Sequence, residues 1–590
     1  ATPDQATNQA SSLESLSTDL YTDSKRFIYE LLQNADDSAE PGNTVKVWIK
    51  IFGDSLVVAH SGREFSPRDI RGICNVNNGT KKEDSSKTGY KGIGFKSVFG
   101  QSDKVTIFTG NEYFRFDVSY PFDWIWDGTK EEWEAKSDRE FVNPWQIIPI
   151  YTEVRVGILE PIDHYLNTIN ANVATIIKLS DKTDTLLALK ELSEDVNMYL
   201  FLKSISSINF DIDNRKHIEI DRSESNLIVL KDGQSDQKKW LTSSITLDIP
   251  SVLKVALQDE RNIPDKLLNA ETIELTLAAK TGTDGIIKLS QNERRIYSYL
   301  PTEETKYSLP VLVNTSFLTN ANREHLHADS KWNQWLFKSI SVEIFKWISR
   351  LVETEYQYQA YKLIPDKIHI DELGTQFNKG RQEAIETVAF VREKPKALVK
   401  IKDSIIDFTF LSKKSFIGEK SIKLFIDSSE PTGKESTKVF IENTGFGHEF
   451  KALGASAFEW ESLSKFVQSK GFINTHSIEN NIELIKHLKY LSEIESVEYI
   501  TVAQLKGLPF IWDHKGTLNA PYNIYFPTSN DANWNSKDSE LSFLHQKLQD
   551  WLSLDLDTRA WLGKLGVVEK TDISFITKTI IPNAENYITE

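Results

Sequence analysis

Cysteine is nearly absent from this sequence of 590 residues, which contains only Cys74. One cysteine excludes intramolecular disulfides and zinc sites built from several cysteines, and it is typical of a reducing compartment. The sequence also lacks an apolar run long enough to cross a bilayer, and residues 1–17 lack the basic and apolar parts of a secretory signal. We therefore expect a cytoplasmic protein without a membrane partner.

Positive charge is also in short supply, because 69 lysines and arginines face 85 acidic residues and the net charge is −16. Such a balance gives no overall attraction to nucleic acid, although it does not exclude a local basic patch. Generic nucleic-acid binding is therefore disfavoured.

The length of the chain, with 39% hydrophobic residues, is enough for several cores. The pattern of elements predicts an α+β multidomain protein, which we divide into residues 1–195, 196–355 and 356–590. The sequence begins without methionine and stops at Glu590 soon after a predicted helix. We expect a piece of a longer protein.

The first predicted domain alternates helices and strands. Gly110-Asn111 between two alternating runs predicts a hairpin, and Ser66 followed by Pro67 predicts a helix start. The polar segment 75–88 predicts a mobile loop or lid. Trp-rich residues 120–145 favour an aromatic packing insert over a ligand platform. The predicted helices are 23–37 and 66–74, and the predicted strands are 45–51, 56–59, 104–109 and 113–118.

Beyond residue 195 the sequence predicts a series of strands followed by a helix, which is typical of a separate α+β domain. The remainder mixes helices with short strands and shows no catalytic motif. The predicted strands are 208–212, 218–220, 227–230, 244–247, 273–278, 297–302 and 311–314, and the predicted helices are 333–351, 382–391 and 482–491.

The first helix carries polar residues in one line. Glu30, Asn34 and Asp37 lie at positions i, i+4 and i+7, opposite an apolar face that begins at Phe27. The amide oxygen of Asn34 can bind Mg²⁺, and Glu30 can accept a proton from a water that attacks a phosphate. Taken alone, a solvated polar face is the more common explanation of such a line.

A glycine run, Gly89-x-x-Gly92-x-Gly94, follows the predicted loop. Glycines at this spacing let backbone amides approach phosphates, and Lys91 and Lys96 add positive charge. Phe95 displaces the lysine from the register of a P-loop, and the order of the glycines is the reverse of the dinucleotide fingerprint. An ordinary loop is the alternative, but neither rival motif explains Glu30 and Asn34.

These motifs, together with His60-x-Gly62-x-x-Phe65, resemble the successive boxes of the GHKL ATPases, which share the Bergerat nucleotide-binding fold. The amino-acid sequences of residues 33–37 and 91–99 are similar to those of the sacsin N-terminal and NO VEIN-like group. We expect this chain to be a bacterial member of that group. Residues 300–303 and 320–335 are similar to the domain that follows in that group, so the resemblance covers about residues 18–340. Residues 561–566 resemble the group only faintly.

The resemblance implies an N-terminal Bergerat-type α/β sandwich, a transducer-like middle domain and a mixed α/β C-terminal region. It implies ATP and Mg²⁺ as cofactors, with Glu30 as general base and Asn34 as the Mg²⁺ ligand. The residues expected to bind the nucleotide are Asn34, Asp37, His60, Gly62, Lys81, Gly89, Lys91, Gly92, Ile93, Gly94, Phe95 and Lys96.

Two of the expected residues keep an alternative. His60 stands where many GHKL proteins have an adenine-reading aspartate, so either a neutral imidazole accepts that hydrogen bond, with help from Asp36 or Asp37, or His60 is only a buried residue at a strand end. Arg323 is expected to reach the γ-phosphate from the middle domain, because its planar fork pairs two phosphate oxygens, although an ion pair with Glu324 or Asp329 is the favoured alternative.

The function expected from these residues is an ATP-driven conformational clamp, either chaperone-like or the ATPase module of a bacterial anti-phage defence protein. The expected partners are a protein client or effector domain, and a second copy of the chain when ATP is bound. A nucleotide-sensing scaffold with little turnover and a DNA-handling GHKL ATPase are the alternatives.

Overall fold

The computed structural model describes residues 2–18, 25–75, 94–126, 128–153, 160–180, 182–233, 236–260, 263–320, 324–393, 397–428, 438–442, 444–494, 500–528, 541–582 and 584. Contacts divide the chain into two compact units, Ala1–Ala384 and Ile385–Glu590. The α+β multidomain class predicted from the sequence is confirmed. The finer division at residues 195 and 355 stays a prediction.

The first unit is built on a mixed sheet of fifteen strands among the described residues. The order across the sheet is β14-β13-β15-β11-β10-β9-β8-β7-β1-β2-β6-β3-β4-β5, and β12 pairs with β11. The strands are β1 Val45–Phe52, β2 Ser55–His60, β3 Lys104–Thr109, β4 Glu112–Asp117, β5 Ile150–Tyr151, β6 Val173–Lys178, β7 Ile205–Asp211, β8 Arg215–Asp221, β9 Leu227–Asp232, β10 Asp236–Asp248, β11 Thr272–Gly282, β12 Gly285–Ile286, β13 Ile296–Ser298, β14 Leu300–Pro301 and β15 Leu312–Asn314.

One parallel pairing joins the two halves of this sheet. β1 runs parallel to β7, with Val45 opposite Ile205, whereas β1 and β2 form an antiparallel hairpin. The predicted hairpin at Gly110-Asn111 is confirmed, since both residues have positive φ (56° and 63°), as a type I′ turn requires.

Helices cover the sheet of the first unit. They span Pro3–Thr18, Arg26–Asp36, Pro67–Cys74, Lys130–Ser137, Glu160–Thr168, Lys182–Glu194, Ser251–Gln258, Asp265–Asn269, Lys331–Val352 and Glu372–Thr387. No helix within the described part of the chain combines the length and apolar character that a membrane span requires.

The alternation of side chains along β1 and β2 separates two cores. Val47 and Val58 pack on one face with the apolar side of helix Arg26–Asp36. Val57 and Ala59 pack on the other face with helix Glu160–Thr168. Because successive strand residues point to opposite faces, β2 is buried on both sides. The helix with Glu30 and Asn34 is therefore held against a rigid, doubly covered sheet.

The Trp-rich residues 120–145 form a small aromatic cluster. The ring of Phe141 lies 5.2 Å from the ring of Trp124 and 4.9 Å from that of Trp126. These edge-to-face contacts agree with the packing interpretation of this segment.

The second unit has its own core of helices and short strands. Its helices span Gly418–Ser428, Gly447–Leu453, Leu463–Val467, Lys470–Thr475, Ile478–Glu493, Val502–Gly507, Gln546–Leu554, Leu556–Leu565 and Asp572–Phe575. Its strands are β16 Ala389–Arg392, β17 Leu398–Lys400, β18 Ser404–Asp407, β19 Val439–Phe440, β20 Ser456–Phe458, β21 Ile511–Trp512, β22 Leu518–Asn519, β23 Tyr525–Phe526 and β24 Val568–Glu569.

One predicted helix is wrong in its second half. The helix predicted at 382–391 ends at Thr387, and residues 389–392 form β16, because Val391 pairs with Val399 across an antiparallel ladder. The described residues at the end of the glycine run form a 3₁₀ helix, Gly94–Gly100.

Candidate functional site

Helix Arg26–Asp36 positions the predicted catalytic residues. Phe27, Leu31 and the other apolar residues of the helix enter the core, which fixes the rotation of the helix about its axis. Glu30 is only 6% exposed, whereas Asn34, one turn later, is half-buried. Asp37 is also half-buried, directly after the helix, where its N–H donates to Gln33 O at 2.9 Å.

The helix packs against the 3₁₀ helix Gly94–Gly100, so the fold brings Glu30's helix to the end of the glycine run. Phe95 is half-buried and packs edge-on against Phe99 at 5.8 Å. Predicted residues that lie outside the described part of the chain are Lys81, Gly89, Lys91, Gly92, Ile93 and Arg323. Their roles stay predictions.

Lys96 is buried, with 5% of its surface exposed. Its ammonium donates to Ile73 O at 2.5 Å and to Gln146 O at 2.9 Å, and it lies over the ring of Phe99. Burial lowers the pKa of Lys96 to about 8. The expected contact of Lys96 with phosphates stays a prediction, and it requires the ammonium to leave both carbonyls.

His60 ends β2 inside the protein, 6% exposed. The N–H of Gly62 donates to Nδ1 of His60 at 3.2 Å, so the proton of the neutral ring sits on Nε2. Burial lowers the pKa of His60 to about 4, which keeps the ring neutral. The acceptor nitrogen that the sequence assigned to adenine is therefore already used by Gly62, and Nε2 offers a donor instead.

Gly62 is in close contact with the chain after the Glu30 helix. A methyl group on Gly62 would lie 1.8 Å from Ser38 Oγ, which donates to Ala35 O at 2.6 Å, and Arg63 N donates to Ser38 O at 2.9 Å. Only glycine leaves room for this approach. The His60-x-Gly62 motif is thus in direct contact with the residues that follow the helix of Glu30 and Asn34.

Replacing His60 with asparagine, which keeps an acceptor near the Nδ1 position, is expected to reduce the loss of stability in acid. The folded-state pKa of His60 lies below the ordinary value of 6.5, so the stability that depends on a neutral ring is complete above pH 6.5 and is lost as pH falls toward 4. Between pH 7.5 and 4.5, His60→Asn should lose about 2–3 kcal/mol less than the unaltered protein in urea unfolding. His217→Asn, at an exposed position of β8, is the control, and equal losses in all three proteins would contradict the prediction.

Asp36 has a structural role that the sequence did not indicate. Its carboxylate, on a residue 4% exposed, accepts from the backbone N–H groups of Lys203, Ser204 and Ile205 and from the hydroxyl of Tyr299. These four donors occupy both oxygens of the carboxylate, so of the two acids expected to help His60 read adenine, Asp37 stays the candidate. The sequence shows only that two acidic residues, Asp36 and Asp37, stand side by side, which does not reveal that Asp36 has this role.

Arg323 lies outside the described residues, which resume at Glu324. Glu303 N donates to Glu324 O at 3.0 Å, and ligand atoms of Glu303, Glu324 and His325 lie within 4.8 Å of one another. Of the two acidic residues named in the ion-pair alternative, Glu324 belongs to this cluster, and both roles of Arg323 stay predictions.

The similarity to known proteins includes the part of the chain that contains Glu30, Asn34 and His60. Residues 17–143 match the family model described as the sacsin domain. The chain is 25% identical to Protein NO VEIN of Arabidopsis thaliana over 333 residues, which is 55% of this chain and 11% of NO VEIN. It is 34% identical to Sacsin of Homo sapiens over 106 residues, 16% of this chain and 2% of Sacsin.

The predicted resemblance to the sacsin N-terminal and NO VEIN-like group is confirmed by these matches, and the chain spans only a small part of either relative. The N-terminal domain of a DNA repair protein, solved as a crystal structure, covers 51% of this chain and 86% of its own at 13% identity. Its TM-score of 0.27 is too low to support any argument.

Proposed function

From the similarity to the sacsin domain, we propose that this chain is a Mg²⁺-dependent ATPase of the GHKL type that drives a conformational clamp. The observation that carries the proposal is the placement of Glu30, 6% exposed, one turn before Asn34 on a helix that packs against the 3₁₀ helix starting at Gly94. A general base, a metal ligand and the end of a phosphate-binding loop would thus lie side by side.

The donor set of the helix fits the proposed cofactors. Asn34 supplies an amide oxygen, a ligand that Mg²⁺ accepts, and Glu30 on the same helix supplies a carboxylate for the attacking water. Bound Mg²⁺ would neutralise charge on the phosphates. Burial of Glu30 limits its contact with bulk water, which would help to hold the carboxylate in one orientation.

The remaining proposed contacts surround the phosphates and the base. The amides of residues 89–94 would cradle the phosphates, Lys81 and Lys91 would add charge, and Arg323 would approach the γ-phosphate. Asp37 and the Nε2–H of His60 are the proposed groups at the nucleoside side. The client is proposed to be a protein or an effector domain, in a chaperone-like or bacterial defence setting, with a homodimer in the ATP state.

Glu30→Gln is expected to keep ATP binding but lower Mg²⁺-dependent turnover about a hundredfold or more, because the amide cannot accept the proton. The measurement is ATP hydrolysis by the two proteins, with binding of labelled ATP followed in parallel. Glu40→Gln makes the same chemical change at an exposed position just beyond the helix and should leave turnover unchanged.

The other outcomes of this experiment distinguish the alternatives. Binding without turnover in the unaltered protein would support the scaffold alternative, and absence of binding would contradict the site. Equal turnover in the unaltered protein and Glu30→Gln would remove Glu30 as the base. An affinity for duplex DNA that falls steeply with salt would favour the DNA-handling alternative.

A further inference from the structure

The carboxylate of Asp36 joins the end of the Glu30 helix to the start of β7. Oδ1 accepts from Ser204 N at 2.7 Å and Ile205 N at 2.8 Å, and Oδ2 accepts from Lys203 N at 2.8 Å. Three consecutive amides thus converge on one side chain. Hydrogen bonds to an ionised acceptor are the stronger kind, so this junction is well fixed.

A fourth donor comes from much farther along the chain. The hydroxyl of Tyr299, between β13 and β14, donates to Oδ2 of Asp36, and both residues are about 95% buried or more. Burial and the nearby Asp36 charge raise the pKa of Tyr299 well above its ordinary value, so the hydroxyl keeps its proton and donates.

The backbone of Tyr299 is held in an unusual conformation. Its φ is +71°, in the left-handed region that non-glycine residues seldom adopt. The N–H of Tyr299 donates to Asn314 Oδ1 at 2.7 Å, which ties this residue to β15. A strained residue is retained where its surroundings require it, and here the strain aims the hydroxyl at Asp36.

Arg222 contacts the carbonyl groups of the same backbone segment, residues 202–205. Its guanidinium donates to the carbonyl oxygens of Ile205, at 2.8 Å, and Leu202. The segment 202–205 therefore contacts a buried carboxylate, which accepts from the N–H groups of residues 203–205, and a half-buried guanidinium, which donates to the carbonyls of residues 202 and 205. Charge is balanced across the segment, which makes the burial of Asp36 tolerable.

We infer that Asp36 and Tyr299 form a positioning pair that lets the part of the chain after residue 196 set the orientation of Asn34 and Glu30. Asn34 lies two residues before Asp36 in the last turn of the same helix, so a displacement of Asp36 displaces the proposed Mg²⁺ ligand. This inference rests on the proposed function, because turnover is what the positioning would serve. Neither residue touches the nucleotide in this scheme; they act through the helix.

The test compares Tyr299→Phe with Tyr297→Phe in the full chain. Tyr297 is an equally buried tyrosine two residues earlier, but its hydroxyl donates to Asn197 O at 3.5 Å and not to Asp36. Hydrogen exchange is measured without nucleotide over residues 26–37 and 203–205, with residues 296–301 around Tyr299 followed for comparison, and kcat and KM are measured for ATP.

Tyr299→Phe should exchange about tenfold faster in both segments, because a hydrogen bond to a charged group is lost while the ring is kept. It should lower kcat roughly tenfold or more with KM changed less than about threefold, since a misplaced catalytic group affects the chemical step. Tyr297→Phe should resemble the unaltered protein in both measurements.

The inference is overturned if the two variants behave alike, or if faster exchange in Tyr299→Phe is confined to residues around 299. Failure of the proposed function would show separately, as absence of ATP binding or turnover in the unaltered protein. In that case exchange in residues 26–37, measured without nucleotide, still decides whether Tyr299 holds the helix.

Discussion

Asp36→Ala is expected to lower the free energy of unfolding of the Ala1–Ala384 unit by about 3–5 kcal/mol. The change removes the acceptor of three backbone N–H groups and of the Tyr299 hydroxyl, all at a site that is 4% exposed. Each unpaired buried donor costs about 1–3 kcal/mol. Arg222 also loses the buried charge that balances its own. Water entering the vacated space offsets part of this sum, which is why we expect less than the full total.

Urea unfolding measures this loss, and Asp211→Ala is the matched control. Asp211 forms an ion pair with Lys50 at 2.7 Å, but its side chain is 29% exposed, so its loss should cost about 1 kcal/mol or less. A loss below about 1 kcal/mol in Asp36→Ala would show that the segment 203–205 finds other acceptors, and the positioning role of Asp36 would fall with it.

The local elements of the first unit were predictable because their signals are local. The hairpin at Gly110-Asn111 follows from two residues that tolerate positive φ, and the capped helix Pro67–Cys74 follows from Ser66, whose Oγ accepts from Asp69 N. The neighbouring positions of Glu30 and Asn34 follow from helix geometry alone. The parallel pairing of β1 with β7 has no such signal, because its partners lie about 160 residues apart.

The charged residues near the site show what the sequence could not predict. The sequence predicts that Lys96 contacts phosphates, and nothing in it indicates the hydrogen bonds from the Lys96 ammonium to the carbonyls of Ile73 and Gln146. Asp36 and Asp37 look equivalent in the sequence, but only the fold brings Tyr299 to Asp36. Whether a charge is buried or available depends on distant partners, so composition and spacing cannot decide it.

Gly380→Ala is expected to destabilise the first unit by about 3 kcal/mol. Helix Glu372–Thr387 crosses helix Lys331–Val352 at this glycine, and a methyl group there would lie 2.1 Å from the backbone oxygen of Lys338 and 2.9 Å from its carbonyl carbon. Backbone atoms cannot rotate away as a side chain does, so the helices must separate. The ion pair between Lys338 and Glu383, at 2.8 Å across the same crossing, would then weaken. Urea unfolding measures the cost.

A second Gly→Ala substitution, at a helix position with free space around it, measures the effect of helix propensity alone and serves as the control for Gly380→Ala. Gly563, in helix Leu556–Leu565, has no atom within 4 Å of a methyl group placed on it, so Gly563→Ala should raise stability by up to about 1 kcal/mol. The same propensity gain acts at Gly380, and the measured loss there is therefore smaller than the cost of separating the helices. If Gly380→Ala is as stable as the unaltered protein, the two helices do not approach through this residue in solution.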